Sequence, residues 1–305
     1  MTCEEQMNRR IAAYANDLRA AGVERPWREL WMLVAHVWDC SYDDVVLGRA
    51  PVDLMRNLPD SEATAQLDAL GALVARRAAH EPLAKILNKA SFWKYAFYTT
   101  RDTLDPRPES ELFVETVLSL YADTAAALTF LDLGTGTGCL LLSCLMEYQN
   151  AHGVGVDNSA DALLVAQKNS AILGLDTRAK FIQSNWNDKV DGTFDVILCN
   201  PPYIKNGERL PCDVLFDPPG ALFGGDDGLG AYRDAFAGLR KSVRQNAGQS
   251  ITGSNVLFEI GQGQADDVIA IAQSHGFKHT SSAIDLGGCV RLLTFVPQHS
   301  REVLN

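Results

Sequence analysis

From about residue 127 onward the chain alternates between short apolar runs and helix-length segments, and this alternation limits the possible folds more than any other feature. "ALTFLDLGTGTG" reads as a strand ending in a glycine turn, with "CLLLSCLMEY" as the helix behind it. "HGVGVDNS" and "ADALLVAQKNSAILG" repeat the pair, and "AKFIQSNW", "FDVILCNPPY", "NVLFEI" and "VRLLTFVP" supply further strands. Strands separated by helices pair mostly in parallel, with helices covering both faces of the sheet. The expected fold class is therefore α/β with a mostly parallel sheet. Ligands in such sheets sit at the carboxyl ends of the strands.

Up to about residue 80 the pattern is helical instead. "RPWRELWMLVAHVWD" places Trp27, Leu30, Trp31, Val34 and Val37 on one face, with Pro26 suited to the first helical position. Ser41 opens a capping box in "SYDD", and Ser61 is a candidate cap for a helix through "SEATAQLDALGALVARRAAH". The tryptophans fit core packing in a small helical bundle; a partner-binding face is the competing account. Beyond residue 80, "SFWKYAFYTTRDTLDPRPESE" is rich in aromatics and threonine and ends in a proline pair. That texture suits a β-hairpin connector leading into a helix at "PESELFVETVLSLYAD". Three regions follow: a helical domain over 1–80, a hairpin linker over 81–108 and an α/β domain over 109–305.

Charge and composition exclude several classes of function. The net charge of −11 disfavours direct nucleic-acid binding, which depends on neutralising phosphates. The 7 cysteines form no C-x-x-C pair, and the 6 histidines show no metal-ligand spacing, so no metal is expected. No apolar run approaches the roughly 20 residues that span a membrane, and "MTCEEQMNRR" lacks the apolar core of a secretory signal. A cytoplasmic protein without a membrane partner is expected.

Two turns carry the chemistry. "DLGTGTG" places Asp132, Gly134, Thr135, Gly136, Thr137 and Gly138 between a strand and a helix, where glycines let the backbone turn tightly and approach a ligand. Cys139 stands where a dinucleotide loop has glycine or alanine. The G-x-G-x-G form instead resembles the S-adenosylmethionine loop of Rossmann-like methyltransferases; taken alone it also suits a plain tight turn. Asp157 ends the next strand, placed to accept both hydrogen bonds of a ribose diol and equally to cap the helix that follows. Asn185 and Trp186 end another strand. The indole there suits an adenine face or, as readily, core packing, and Asn185 suits the adenine amino group. In "ILCNPPYIK" a strand stops at Asn200, because Pro201 and Pro202 have no N–H to donate. The carboxamide oxygen of Asn200 and a proline-pair carbonyl make a stiff bracket of two acceptors, suited to a planar NH2 group. Tyr203 supplies a ring for its flat face.

N-P-P-Y after the fourth strand is the signature of amino and amide N-methyltransferases. With "PRPESELFVE", "DVLFDP", "ALFGGDDGLGAYR", "FEIGQGQ" and "DLGGCVR", the chain resembles the peptide chain release factor glutamine N5-methyltransferase family. The resemblance implies a Rossmann-like class I methyltransferase domain, S-adenosyl-L-methionine as cofactor, and methylation of the glutamine in the Gly-Gly-Gln loop of release factors. It implies cofactor binding by Asp132, Gly134, Thr135, Gly136, Thr137, Gly138, Asp157, Asn185, Trp186 and Asn200. Substrate binding falls to Asn200, Pro201, Pro202 and Tyr203, of which Asn200, Pro201 and Tyr203 are catalytic, and release factor docking to the helical domain. The alternatives are a ribosomal-protein glutamine or DNA adenine as substrate, or a cofactor-binding scaffold with an idle site. Asn185 stands where aspartate is common, Asp105 where the family has an apolar residue, and Leu215 where arginine is frequent.

Overall fold

In the computed structural model, residues 3–48, 59–244 and 253–298 are described; the Cys3 side chain and His299 lie outside them. The chain divides into two compact units, residues 1–89 with 211–216, and 90–210 with 217–305.

The first unit is helical: α1 (Cys3–Ala20), α2 (Pro26–Val37), α3 (Tyr42–Val46), α4 (Asp60–Ala78) and α5 (Leu83–Leu87). Its core gathers Leu18, Leu30, Leu33, Val34 and Leu70, all fully buried. Pro26 opens α2, and Ser41 caps α3 by accepting from the Asp44 N–H at 3.0 Å, both as the sequence suggests. Two expectations fail. Pro59 precedes α4 and Ser61, two positions later, lies inside its first turn, so Ser61 is not the cap. On α2, Leu33 is buried while Trp27 is 40% exposed and rests against Trp31 with ring centroids 5.3 Å apart. Trp31 still packs against this core, and Trp38, just after α2, is buried in it.

The second unit begins with the hairpin β1 (Ala90–Phe92) and β2 (Tyr95–Phe97), paired antiparallel. A short 3-10 turn at Pro108–Glu111 leads into α6 (Leu112–Leu120). The remaining elements are β3 (Thr129–Leu133), α7 (Cys139–Glu147), β4 (His152–Asp157), α8 (Ala160–Ile172), β5 (Ala179–Gln183), β6 (Val196–Cys199), α9 (Gly230–Ala237), β7 (Asn255–Glu259), α10 (Ala265–Ser274), β8 (Phe277–Ile284) and β9 (Val290–Pro297). The sheet order is β5-β4-β3-β6-β7-β9-β8. The first five strands in that order run parallel, while β9 pairs antiparallel with both β7 and β8. This is the expected α/β class with a mostly parallel sheet. Nothing in "FKHTSSAI" marks β8 in advance, because this edge strand is mostly polar and partly exposed.

Alternate strand residues face opposite layers. Phe130, Val196, Leu198 and Leu257 join Phe113 and Val117 of α6 and the apolar row of α7. Leu131, Leu133, Ile197, Cys199, Val256 and Phe258 join Tyr232 and Phe236 of α9 and Val268 of α10. Phe236 stacks on Phe258 with centroids 4.3 Å apart and meets Phe295 edge-on at 5.5 Å. Among the described residues no helix is long and apolar enough to cross a membrane. Phe236→Ala is expected to lower unfolding free energy by about 3–5 kcal/mol, measured by urea denaturation, because the neighbouring rings cannot close the gap.

Candidate active site

The chain leaves β3 toward β4 and β5, then returns to β6 on the other side of β3. The carboxyl ends of β3 and β6 therefore lie side by side, with Leu133 paired to Cys199, and each is followed at once by a turn. A crevice opens where strand order reverses in this way.

The turn after β3 has Gly134, Gly136 and Gly138 at φ 72, 53 and 78, a left-handed run that side chains resist. The Gly134 and Thr135 N–H groups both donate to the Val156 carbonyl at 2.9 Å. Beneath the turn, Asp132 is fully buried and accepts from Thr135 Oγ1 at 2.6 Å, while its other oxygen has no partner among the described residues. Burial pushes the Asp132 carboxyl up to about 7, offset in part by the Thr135 bond. Thr135 and Thr137 are buried, and Gly138 fits closely against Leu142 and Ala166. Of this turn, Gly134 and Gly136 face open space; Asp132, Thr135, Thr137 and Gly138 support it from behind.

Asp157, at the end of β4, accepts from Gly136 N–H at 3.0 Å and Ser159 N–H at 2.9 Å. The cap of α8 is Ser159, which accepts from Ala162 N–H at 3.2 Å, so the capping alternative for Asp157 fails. Burial raises the Asp157 pKa, and its backbone hydrogen bonds oppose the rise. Each carboxylate oxygen keeps a second lone pair for a further donor.

Gly134, Gly136, Asp157, Asn185, Trp186, Asn200 and Pro202 line one cavity of about 460 Å³. A Cβ built on Gly134 would lie 4.0 Å from both the Asn200 carbonyl oxygen and Trp186 Cζ3, so the two turns and the indole converge there. Trp186 has φ 47, a conformation in which a bulky residue is strained by roughly 1–3 kcal/mol. Pro201 is buried and does not line the cavity; the half-buried Tyr203 ring lies beside Gly261 and is not a wall either. Burial pushes the Tyr203 hydroxyl up to about 12.

The remaining motifs close on the N-P-P-Y backbone. A Cβ on Gly224 would lie 2.4 Å from the Pro202 carbonyl and one on Gly228 2.5 Å from the Tyr203 carbonyl. The Gln264 amide donates to the Tyr203 carbonyl at 3.1 Å. Arg107 pairs with Asp217 at 2.6 Å, joining "PRP" to "FDP". The unusual Asp105 is buried and satisfied locally, accepting from Thr99 Oγ1 at 2.6 Å; Leu215 is 60% exposed.

Further walls come from Asp102, Thr103, Leu104, from Pro218, Gly220, Ala221, Phe223, Gly224 and Gly225, and from Asp234. These lie in irregular segments or on α9, where no sequence period marks them. Asn169 was also missed: inside α8 its amide donates to the Thr137 carbonyl at 2.8 Å and to the Tyr98 carbonyl at 2.9 Å, and its oxygen accepts from Tyr98 N–H at 2.6 Å. A polar residue amid "AQKNSAIL" at helix spacing was its only signal.

Residues 11–87 match the model of the PrmC N-terminal domain, and residues 100–214 that of the methyltransferase small domain. A release factor glutamine methyltransferase of Agrobacterium fabrum is 38% identical over 93% of this chain and 95% of its own length. One from Cereibacter sphaeroides is 38% identical over 91% and 93% respectively, and one from Rhodospirillum rubrum 37% over 90% and 80%.

The state of Asp132 has a measurable consequence. Its folded pKa lies above its unfolded value, so between about pH 4 and 7 the folded state holds more protons and stability falls as pH rises. Asp132→Asn should flatten that part of the stability curve, leaving a smaller slope from Glu259, whose carboxyl is also pushed up to about 7. Urea midpoints at pH 5 and pH 7.5 measure the difference.

Proposed function

The chain belongs to the release factor glutamine methyltransferase family, and we propose that it methylates the side-chain nitrogen of a glutamine in the Gly-Gly-Gln loop of bacterial peptide chain release factors, with S-adenosyl-L-methionine as donor. The observation that carries this reading is the meeting of Gly134, Trp186 and Asn200 at one cavity beside the N-P-P-Y turn.

The cavity suits the cofactor. About 460 Å³ falls within the usual range for ligands of this size. Gly136 presents bare backbone to it, since an added Cβ there would meet nothing within 4 Å. In this reading Gly134 and Gly136 let the cofactor approach the backbone, Asp157 accepts from its ribose, and Trp186 with Asn185 borders the adenine. Asp132, Thr135, Thr137 and Gly138 act indirectly, by holding the turn. When bound, the cofactor supplies a methyl group already activated by sulfonium charge.

The protein's own task is positioning. A carboxamide nitrogen is a weak nucleophile because its lone pair is shared with the carbonyl, and well-aligned reactants can lower a barrier by roughly 7–11 kcal/mol. The Asn200 oxygen and a proline-pair carbonyl accept the two N–H groups of the glutamine amide and aim its nitrogen into the cavity. As positive charge develops on that nitrogen, both dipoles already point at it, and one of its two protons then leaves to a bracket acceptor or to water. Tyr203, with its ring against Gly261, acts as the outer support of this bracket, and the clamp from Gly224, Gly228 and Gln264 stops the turn from relaxing. The helical unit is proposed to dock the release factor, and the net charge of −11 supports a protein substrate over DNA.

Mass spectrometry of a release factor peptide after reaction should show one added methyl on its glutamine, with none transferred to duplex DNA. Asn200→Ala is expected to abolish turnover while calorimetry still detects cofactor binding; full activity of that variant would contradict the bracket. Asp157→Ala should weaken cofactor affinity by about tenfold or more, equivalent to roughly 1.4 kcal/mol or more, as expected for a lost hydrogen bond to a charged group.

A further inference from the structure

A carboxamide is nearly symmetrical in shape, so a half-turn about its last bond exchanges oxygen and NH2 at little steric cost. In a bracket that must accept two N–H bonds, the reversed amide would set donor against donor. Some feature has to choose. We propose that Glu259, acting through Ser110, fixes the Asn200 carboxamide with its oxygen toward the substrate nitrogen. This inference rests on the methyl-transfer reading above.

The geometry leaves little freedom. Glu259 ends β7 and Ser110 sits in the 3-10 turn before α6, each 3% exposed. Ser110 Oγ donates to Glu259 Oε2 at 2.5 Å. A serine hydroxyl has one hydrogen, so with that hydrogen given to Glu259 its oxygen can only accept. The donor it accepts from is Asn200 Nδ2, at 3.2 Å. The Asn200 amide near Glu259 also favours the charged carboxylate. The NH2 group thus has its acceptor on the inner side, and the oxygen is left for the cavity that Asn200 lines. Neither Ser110 nor Glu259 lines that cavity, so both are positioning residues.

The direction of the chain depends on Glu259 remaining an acceptor. Burial, with help from Glu109 in the same turn, raises its carboxyl to about 7, against Arg291 on β9, the Ser110 bond and the nearby Asn200 amide. Tyr203, Tyr232, Cys199 and Cys139 are the other titratable groups that feel its charge. Once protonated, Glu259 can donate to Ser110, freeing the serine hydrogen for the Asn200 oxygen. The amide orientation then reverses, and turnover falls as pH drops through about 7.

The test uses the full chain with a release factor substrate and compares Glu259→Gln and Ser110→Ala with the parent. Both variants should lose at least about tenfold in kcat, with cofactor Kd by calorimetry within about twofold of the parent. The acidic limb of kcat near pH 7 should be present in the parent and absent in Glu259→Gln. The Asn200 side-chain amide protons, followed by NMR with labelled asparagine, should exchange slowly in the parent and fast in both variants. Should Glu259→Gln fail to fold, Ser110→Ala decides alone through kcat and amide exchange. Unchanged kcat and unchanged amide protection in Ser110→Ala overturn the orienting chain. Methylation by Asn200→Ala at the parent rate would instead overturn the bracket itself, so the two failures are distinguishable.

Discussion

A reversal of strand order is the constraint from which the rest of the second unit follows. Because β4 and β5 lie to one side of β3 and β6 to the other, no helix can cover the carboxyl ends of β3 and β6 at once. Two turns are left facing one opening. The glycine turn fills its share with bare backbone, and the asparagine–proline turn fills the other with oriented carbonyl and amide groups. Each is anchored from behind by a buried carboxylate: the glycine turn by Asp132 through Thr135, and the asparagine–proline turn by Glu259 through Ser110, which accepts from Asn200. Buried carboxylates are costly, so the hydrogen bonds that each accepts favour one geometry for the turns.

Much of this was legible in the sequence because it depends on local chemistry. The strands announce themselves through apolar runs that end in glycine or proline, and period-2 burial distributes Phe130 and Leu131 to opposite layers. Pro26 and Ser41 act as their residue types dictate. Ser61 failed because a proline two positions earlier outranked a hydroxyl. Strand β8 and the walls at Asp102–Leu104 and within Pro218–Gly225 were illegible because they take their shape from distant partners, such as the Ile204–Phe223 bridge. Of the glycine turn, residue types marked the whole motif, yet only register and burial separate the residues facing the cavity from those that brace it. The bonds of Glu259, a residue inside the quoted "FEIGQGQ", and of Asn169 were illegible for a related reason. Each makes its bonds across many positions of sequence, and no spacing rule links residue 259 to 110 or 169 to 98.

The site has few groups suited to proton transfer and many suited to holding still. Cys139 and Cys199 are buried with thiol pKa values pushed upward, and the Tyr203 hydroxyl is raised as well. A reaction whose electrophile arrives already activated needs alignment more than a strong base. Gly224 and Gly228 serve this alignment by their lack of a side chain, since the loop carrying them approaches the Pro202 and Tyr203 carbonyls more closely than any Cβ would permit.

The backbone at Trp186 carries a further consequence. Its left-handed conformation is one that glycine or asparagine would adopt with less strain, yet the indole forms part of the cavity wall. Exchanging it for glycine would relax the chain and strip away a flat aromatic surface in a single step. The apolar layer against which the indole packs holds that strain in place, so relieving it at residue 186 would cost both the packing and the cavity wall.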